Sequence, residues 1–174
     1  GDTGETSYLG AGGISKSSLR IEAVGSVDEA NAAIGLARAL SESDQTRTTL
    51  FNVQQHLYLL MTELSASADV ADKFDKLDNG HLRWLEAQID DLEAVVDMPK
   101  VFIIPGSSPA SGALDLARTI VRRAERRTVA MLEEKQILKQ LLVAYLNRLS
   151  SLLFVLEVYE SSNFGHQIQL TKES

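Results

Sequence analysis

Cysteine is absent from this chain, and proline and aromatic residues are scarce. The 174 residues include no cysteine, three prolines and 6% aromatic residues. Without thiols the protein cannot form disulfides, use a cysteine nucleophile or hold a metal through thiolates. The low proline and aromatic contents favour helices over strands.

Basic residues are also outnumbered. The chain has 17 Lys and Arg and 24 Asp and Glu, which gives a formal net charge of −7. That field repels phosphate, so we expect neither nucleic acid nor a membrane surface as a partner, and a polyanionic ligand needs a local basic cluster. The most apolar stretch, residues 141–159, is interrupted by Asn147, Arg148 and Glu157, which predicts a buried helix rather than a membrane span. No signal peptide is visible, but the sequence starts at Gly1 without an initiator methionine, so a targeting segment stays open. A cytoplasmic protein is the expectation.

Apolar residues recur at helical spacing through most of the chain, and no alternating strand pattern of useful length is seen. Residues 1–19 are rich in glycine and predict a flexible arm. Five helices are predicted after it, over about 20–40, 46–68, 80–96, 110–134 and 138–162. Asp78 and Asn79 are candidate N-caps of the third helix. The chain is therefore predicted to be one all-α domain, 1–174, with an arm over 1–19 and a helical bundle over 20–174.

The fourth predicted helix carries an arginine-rich run. Arg122 and Arg126 lie one turn apart just beyond its apolar stripe, a like-charge pair that costs a helix about 0.2–0.5 kcal/mol. Two guanidinium groups at this spacing suit the oxygens of an oligophosphate, which would offset the repulsion. The alternative is a solvated basic face with an ion pair to Glu125, and spacing alone leaves both open.

The arm provides a second phosphate-type signal. Residues 1–7 combine unobstructed backbone N–H groups with hydroxyls, and Lys16 follows. Residues 10–17 nearly fit a P-loop, but Ser15 replaces an essential glycine and no strand precedes the segment, so we reject that motif. The alternative is a flexible arm without a ligand.

Metal ligation is weakly supported. None of His56, His81 and His166 has a glutamate three residues before it, as helix-bundle di-iron sites require, so surface or capping positions are expected. Asn147 lies on the polar side of the last helix, where it is either exposed or buried at an interface.

Five motifs occur in order along the chain: Gly1-Asp-Thr-Gly-Glu-Thr-Ser7 followed by Lys16, Arg20-Ile-Glu-Ala-Val-Gly-Ser-Val-Asp-Glu29, Phe102-Ile-Ile-Pro-Gly106, Arg122-Arg-Ala-Glu-Arg126 and Tyr145-Leu-Asn-Arg-Leu-Ser150. In this order they resemble the PduO-type ATP:cob(I)alamin adenosyltransferases. The resemblance implies a five-helix ferritin-like bundle that assembles as a homotrimer with active sites between subunits. It also implies transfer of the 5′-deoxyadenosyl group of ATP to the cobalt of cob(I)alamin, releasing triphosphate.

The resemblance further implies roles for individual residues. Phe102 matches an aromatic residue beside the corrin ring, and Asp28 and Arg118 match positions near the subunit interface that we pair as an ion pair. Arg122, Arg126 and Phe102 are the implied catalytic residues. Mg²⁺ would be held through the ATP phosphates and Glu125, with no direct protein metal site. The implied ATP contacts are Gly1, Thr6, Ser7, Lys16, Arg122, Glu125, Arg126 and Asn147. A further implied partner is the adenosylcobalamin-dependent enzyme that the transferase supplies.

Three departures from the family pattern affect local detail. A Thr-Lys-Thr stretch that precedes the first Gly-Asp in the family is absent, so part of the arm is expected to be missing. Ser151 stands where the family has Asp, and Asp115 stands where a histidine is common.

Two other classes of function remain open. One is an ATP-binding regulatory bundle without transfer activity. The other is a structural bundle whose arginine-rich helix docks an acidic partner. ATP should raise the melting temperature of the first but not of the second, and only the enzyme should transfer to corrinoid.

Overall fold

The computed structural model describes residues 1–171 and is dominated by helices. They are α1 (Leu19–Leu40), α2 (Asp44–Leu64), α3 (Ala71–Phe74), α4 (Asn79–Glu93), α5 (Pro109–Glu133) and α6 (Leu141–Asn163). The five predicted helices are confirmed as α1, α2, α4, α5 and α6, and α3 is an additional single turn. The five-helix, all-α fold class is thus confirmed.

Helix starts are set by hydroxyl and carboxylate caps. Ser18, Ser43 and Ser108 each accept a hydrogen bond from a backbone N–H of the first turn of α1, α2 and α5, respectively. Asp78 caps α4 as predicted, accepting from the N–H groups of Gly80 and His81. Each cap satisfies a donor that the helix itself leaves unpaired, typically worth about 1 kcal/mol.

The end of α2 differs from the prediction, which extended it to residue 68. Arg20 of α1 is buried, and its guanidinium donates to the carbonyls of Leu64 and Ala66, the latter at 2.9 Å. It also donates to the carbonyl of Gln136, at 2.9 Å. The helix ends at Leu64, and Arg20 provides a donor for the Leu64 carbonyl, one of the last carbonyls that a helix leaves unpaired. One buried arginine thereby joins α1, the end of α2 and the α5–α6 loop.

The bundle core lies between α1, α2, α4, α5 and α6. α1 packs against α2 and α5, and α6 packs against α5 and α4. α6 is long and apolar enough to cross a membrane, with a mean hydropathy of 1.6, but 61% of that window is buried inside the bundle. α6 therefore packs as the core helix of the bundle, and its Leu149 is fully buried.

The arm is more ordered than predicted. β1 (Glu5–Tyr8) and β2 (Ala11–Ser15) form an antiparallel hairpin. Gly10, in the turn, has a φ of 85°, and a Cβ there would meet Val70 at 2.3 Å. Leu9 exchanges backbone hydrogen bonds with Ser65 and Ser67, at 2.9 and 2.8 Å. The prediction of an arm without regular structure is thus wrong, because these turn and backbone contacts lie outside what hydrophobic periodicity reports.

A second small sheet joins the α4–α5 connection to the segment that follows α6. β3 (Ile103–Ile104) pairs antiparallel with β4 (Gln169–Leu170). Thr171 extends the contact, donating from its N–H to the carbonyl of Phe102 at 2.9 Å and from its hydroxyl to the same carbonyl at 3.1 Å. The C-terminal segment thus fixes the backbone at Phe102.

Candidate functional site

Three concave surfaces carry most of the residues singled out in the sequence. The first groove, about 610 Å³, lies between the hairpin, α1 and α2. It is lined by Thr6, Ser7, Tyr8, Leu9, Ile21, Val24, Gly25, Asp28, Tyr58, Met61, Thr62 and Ser65. Thr6, Ser7 and Asp28 therefore share one surface.

Gly1 and Lys16 meet at the base of the hairpin. The Lys16 ammonium donates to the carbonyl of Gly1 at 2.6 Å, and the Lys16 N–H donates to the carbonyl of Gly4 at 2.9 Å. Gly4 has a φ of 83°, a left-handed conformation that glycine adopts without strain. The two ends of the arm are thus held together, and the side chain of Lys16 remains exposed.

The second groove, about 440 Å³, lies between α4, α5 and α6. Its lining includes Glu125 and Asn147, and Asn147 Nδ2 donates to Glu125 Oε1 at 2.9 Å. Asn147 is exposed, as the simpler of the two sequence interpretations expected. Glu125 keeps its other oxygen, Oε2, without a hydrogen-bond partner among residues 1–171.

The arginine-rich run of α5 is divided between two faces. Arg123 and Arg127 pair with Glu29 and Glu22 of α1, the second pair at 3.4 Å. Arg122 and Arg126 are exposed and have no acidic partner within the described residues. The basic face is therefore not uniform: one pair of arginines holds α1 to α5, and the other is left uncompensated.

The third cavity, also about 440 Å³, surrounds the α4–α5 connection. Phe102 lines it and is 85% exposed, an unusual state for a phenylalanine whose backbone is fixed by Thr171. Val101, Ile103 and Phe154 add apolar wall. A rigidly held, solvent-facing aromatic ring beside an apolar cavity is suited to a flat apolar ligand.

Charged groups form the opposite wall of this cavity. Arg118 donates from Nε to Asp115 Oδ1 at 2.7 Å, and its Nη2 lies 2.6 Å from the same oxygen. The predicted pair between Arg118 and Asp28 does not form within one chain, because Asp28 lies in the first groove and Arg118 in the third cavity. A pair between subunits stays a prediction.

Glu157 lies close to this ion pair, and sequence reasoning missed it. Its side chain is buried and Oε2 has no hydrogen-bond partner. Burial, reinforced by the Asp115 charge and opposed by that of Arg118, raises the pKa of Glu157 to about 8. The available signal was a single carboxylate within the apolar run of α6.

The histidines divide between capping and burial. His81 caps α4 with Asp78, as expected, whereas His56 lies half-buried against Trp84 and bonds the hydroxyl of Tyr145 at 3.0 Å. Burial, aided by the nearby charge of His81, lowers the pKa of His56 to about 4. Among residues 1–171, no group of three or more acidic or histidine side chains is arranged to hold a metal.

The implied site residues are therefore not brought together in a single chain. Thr6 and Ser7 face the groove beside α1 and α2, whereas Glu125 and Asn147 face the groove between α4, α5 and α6. Phe102 belongs to the third cavity. The three linings share no residue.

The chain is similar to known proteins over most of its length. The family model described as cobalamin adenosyltransferase matches residues 1–160. The corrinoid adenosyltransferase PduO of Salmonella typhimurium is 37% identical over 174 residues, which is 99% of this chain and 51% of that protein. A corrinoid adenosyltransferase of Bacillus subtilis is 39% identical over 158 residues, 88% of this chain and 80% of the relative. The chain thus spans about half the length of the PduO relative.

A solved structure extends the likeness to the fold. It is a variant of a PduO-type ATP:corrinoid adenosyltransferase from Lactobacillus reuteri, complexed with cobalamin and ATP. It matches with a TM-score of 0.92 and 33% identity, covering 99% of this chain and 97% of that one. Since the family model and the relatives each span most of the chain, this protein belongs to the cobalamin adenosyltransferase family.

Proposed function

We propose that the protein transfers the 5′-deoxyadenosyl group of ATP to the cobalt of a reduced corrinoid. The proposal rests mainly on the likeness, over 99% of the chain, to a structure that holds both cobalamin and ATP. In the reaction, the electron pair of Co(I) forms a bond to C5′ of ATP while the C5′–oxygen bond breaks and triphosphate leaves. Co(I) is itself the nucleophile, so the protein supplies positioning and charge rather than a general base.

The assembly is part of the proposal. A homotrimer, in which one subunit's arm faces the next subunit's α5, would bring the first groove against Arg122 and Arg126. Exposed apolar side chains are available for such an interface, among them Leu36 of α1 and Leu116 of α5, each 50% exposed. A head-to-tail interface of this kind closes into a ring with identical sites.

The uncompensated arginines would bind the leaving group. Arg122 and Arg126, joined by Lys16 of the arm, would hold the triphosphate and stabilise the charge that develops on it. Gly1, Thr6 and Ser7 would contact ATP from the arm through backbone and hydroxyl groups. Asn147 would contact ATP beside Glu125, to which it is already bonded.

Magnesium would enter with the nucleotide. Mg²⁺ takes oxygen ligands and is commonly held by substrate phosphates plus one or two carboxylates. The free Oε2 of Glu125, beside the exposed arginines, would reach the coordination shell of the ion through water. When bound, the ion would neutralise charge on the departing triphosphate.

On the corrin side, Phe102 is the residue to which we assign a catalytic role. Its exposed ring would pack beneath the corrin and crowd the lower axial position of cobalt. Loss of the axial ligand makes Co(II) easier to reduce to the nucleophilic Co(I). Arg118 and Asp28 would pair between subunits near the site. The same proposal treats 1–174 as one domain, with arm 1–19 and bundle 20–174, that acts in the cytoplasm and supplies an adenosylcobalamin-dependent enzyme.

An anaerobic assay tests the proposal. Purified protein with ATP, Mg²⁺ and chemically reduced cobalamin should yield adenosylcobalamin, followed by its absorption spectrum and its sensitivity to light. Light scattering should give the mass of a trimer. Binding of ATP without transfer would point to the regulatory bundle instead. A lack of thermal stabilisation by ATP would contradict both the transferase and the regulatory bundle.

A further inference from the structure

The largely apolar wall of the third cavity carries the Asp115–Arg118 ion pair and, separately, Lys100. Arg118 and Asp115 use only part of their hydrogen-bonding capacity on each other, because both close contacts go to a single oxygen, Asp115 Oδ1. Within residues 1–171, Asp115 Oδ2 and Arg118 Nη1 have no hydrogen-bond partner. The side chains are 14% and 29% exposed, so this free acceptor and free donor are reachable but sheltered.

A neighbouring acceptor and donor recognise a group that has both a donor and an acceptor. A primary carboxamide is such a group, since its NH₂ can donate to Asp115 and its oxygen can accept from Arg118. A carboxylate has no N–H to donate, so its negative charge would be repelled by that of Asp115. An ammonium would lack the acceptor that Arg118 needs.

The charge balance around the pair favours a neutral ligand. The charges of Asp115 and Arg118 cancel, and the buried Glu157 behind them has a pKa raised to about 8, so it is largely protonated at neutral pH. The further charge on the lining is Lys100, which is exposed at the outer edge of the cavity. The polar wall is therefore dipolar rather than charged.

We propose that Asp115 and Arg118 form a specificity pair that binds a primary carboxamide on the rim of the corrinoid substrate. This inference rests on the proposed function, in which the corrin lies against Phe102 in the same cavity. The rim of cobalamin carries several such carboxamides. Arg118 has five N–H groups, of which Asp115 takes two, so enough remain for an intersubunit pair with Asp28 as well.

The test uses cobalamin derivatives in which a single rim carboxamide has been hydrolysed to a carboxylate. For the trimeric wild type, kcat/KM with the isomer altered at the bound position should fall at least about tenfold relative to cobalamin, the size expected when a hydrogen bond to a charged group is lost. The other isomers should react within a few-fold of cobalamin.

Asp115→Asn replaces Oδ2 or Oδ1 by an NH₂ that can donate to a carboxylate. The preference for cobalamin over the hydrolysed isomer should therefore shrink to a few-fold. Asp115→Ala should also lose this preference. Asp91→Asn, an exposed carboxylate on α4, is the matched control and should keep it. A purely structural role of Asp115 would lower kcat/KM for all derivatives alike and leave the ratio unchanged.

The two proposals fail separately. If cobalamin itself is not adenosylated, the proposed function is wrong. If cobalamin reacts but every hydrolysed isomer reacts equally well, or one is preferred, the carboxamide pair is wrong while the enzyme stands. The carboxamide pair is likewise wrong if folded Asp115→Asn keeps the wild-type ratio of kcat/KM between cobalamin and the hydrolysed isomer. Should both variants fail to fold, the wild-type series alone decides the question.

Discussion

Asn147 of α6 donates from Nδ2 to Oε1 of Glu125 on α5, at 2.9 Å. This bond crosses between two helices on the side of α5 where Arg122 and Arg126 are exposed. Because Oε1 is occupied by an amide donor, the orientation of Glu125 is fixed and Oε2 is left for another partner. Two residues to which we assign ATP contacts are thus oriented by each other within one chain.

Arg122→Ala and Arg126→Ala should each largely abolish adenosyl transfer. Both side chains lie outside the core, so truncation removes charge and little packing. A hydrogen bond to a charged group is worth about 1.5–3 kcal/mol, which predicts at least a tenfold to hundredfold loss of kcat/KM for ATP. The measurement is the anaerobic transfer assay, with light scattering to verify the trimer.

Arg127→Ala provides the control on the same helix. Arg127 pairs with Glu22 at 3.4 Å, and both side chains are about half exposed. Exposed pairs of this kind contribute about 0–1 kcal/mol, so stability should fall slightly and transfer should be nearly normal. Near-normal activity in either Arg122→Ala or Arg126→Ala at saturating ATP would refute the phosphate role.

Leu149→Ala should act through stability instead. Leu149 is fully buried in α6, and a buried Leu→Ala substitution costs about 2–5 kcal/mol, through lost burial and the cavity left behind. Thermal unfolding should shift clearly downwards, while the protein that remains folded turns over at its normal rate. Leu138→Ala, which truncates a leucine that is 84% exposed, is the matched control and should shift the transition little. An unchanged melting temperature for Leu149→Ala would contradict the assigned core.

Helices were readable from the sequence because burial repeats at helical spacing over many residues. α6 illustrates this: its apolar residues are buried in the bundle as the spacing predicts. Its first turn illustrates the limit, since the prediction started the helix at residue 138 and it starts at Leu141. Leu138 is apolar but exposed, and periodicity alone cannot distinguish the two cases.

The site was only partly readable, for a different reason. Arg122 and Arg126 were separated correctly from the apolar stripe, because a helix fixes which side each residue occupies. The pairing of Arg118 with Asp115, three residues away, was not anticipated, although that spacing permits contact on a helix. The sequence marks Glu157 only as a single carboxylate in an apolar run, and its burial follows from the tertiary packing of α6.

Glu157→Gln should change how stability depends on pH. The folded pKa of about 8 exceeds the ordinary value of 4.5, so between these pH values the folded chain holds a proton that the unfolded chain has lost. Stability therefore falls as pH rises through this window, by the amount that burial of the charged form costs. Glutamine cannot ionise, so the variant should gain stability relative to wild type between pH 5 and 9.

The measurement is the difference in melting temperature between variant and wild type across that pH range. Glu133→Gln, at an exposed position at the end of α5, is the control and should show little pH-dependent difference. A constant difference between Glu157→Gln and wild type from pH 5 to 9 would show that Glu157 ionises as freely in the folded chain as in the unfolded one.

Phe102→Ala should separate corrin activation from ATP binding. The ring is 85% exposed, so its removal should leave thermal stability nearly unchanged, whereas a residue packed in the core would lower it. If the ring excludes the lower axial ligand, alanine should admit water or dimethylbenzimidazole to cobalt and make Co(II) harder to reduce. The affinity for ATP should stay within a few-fold of wild type, because Phe102 lies in a different cavity from Glu125 and Asn147. EPR and absorption spectra of Co(II)alamin bound with ATP should move from a four-coordinate towards a five-coordinate signature. Identical spectra for the two proteins would remove the axial role, and a collapse in stability would show that Phe102 packs the bundle.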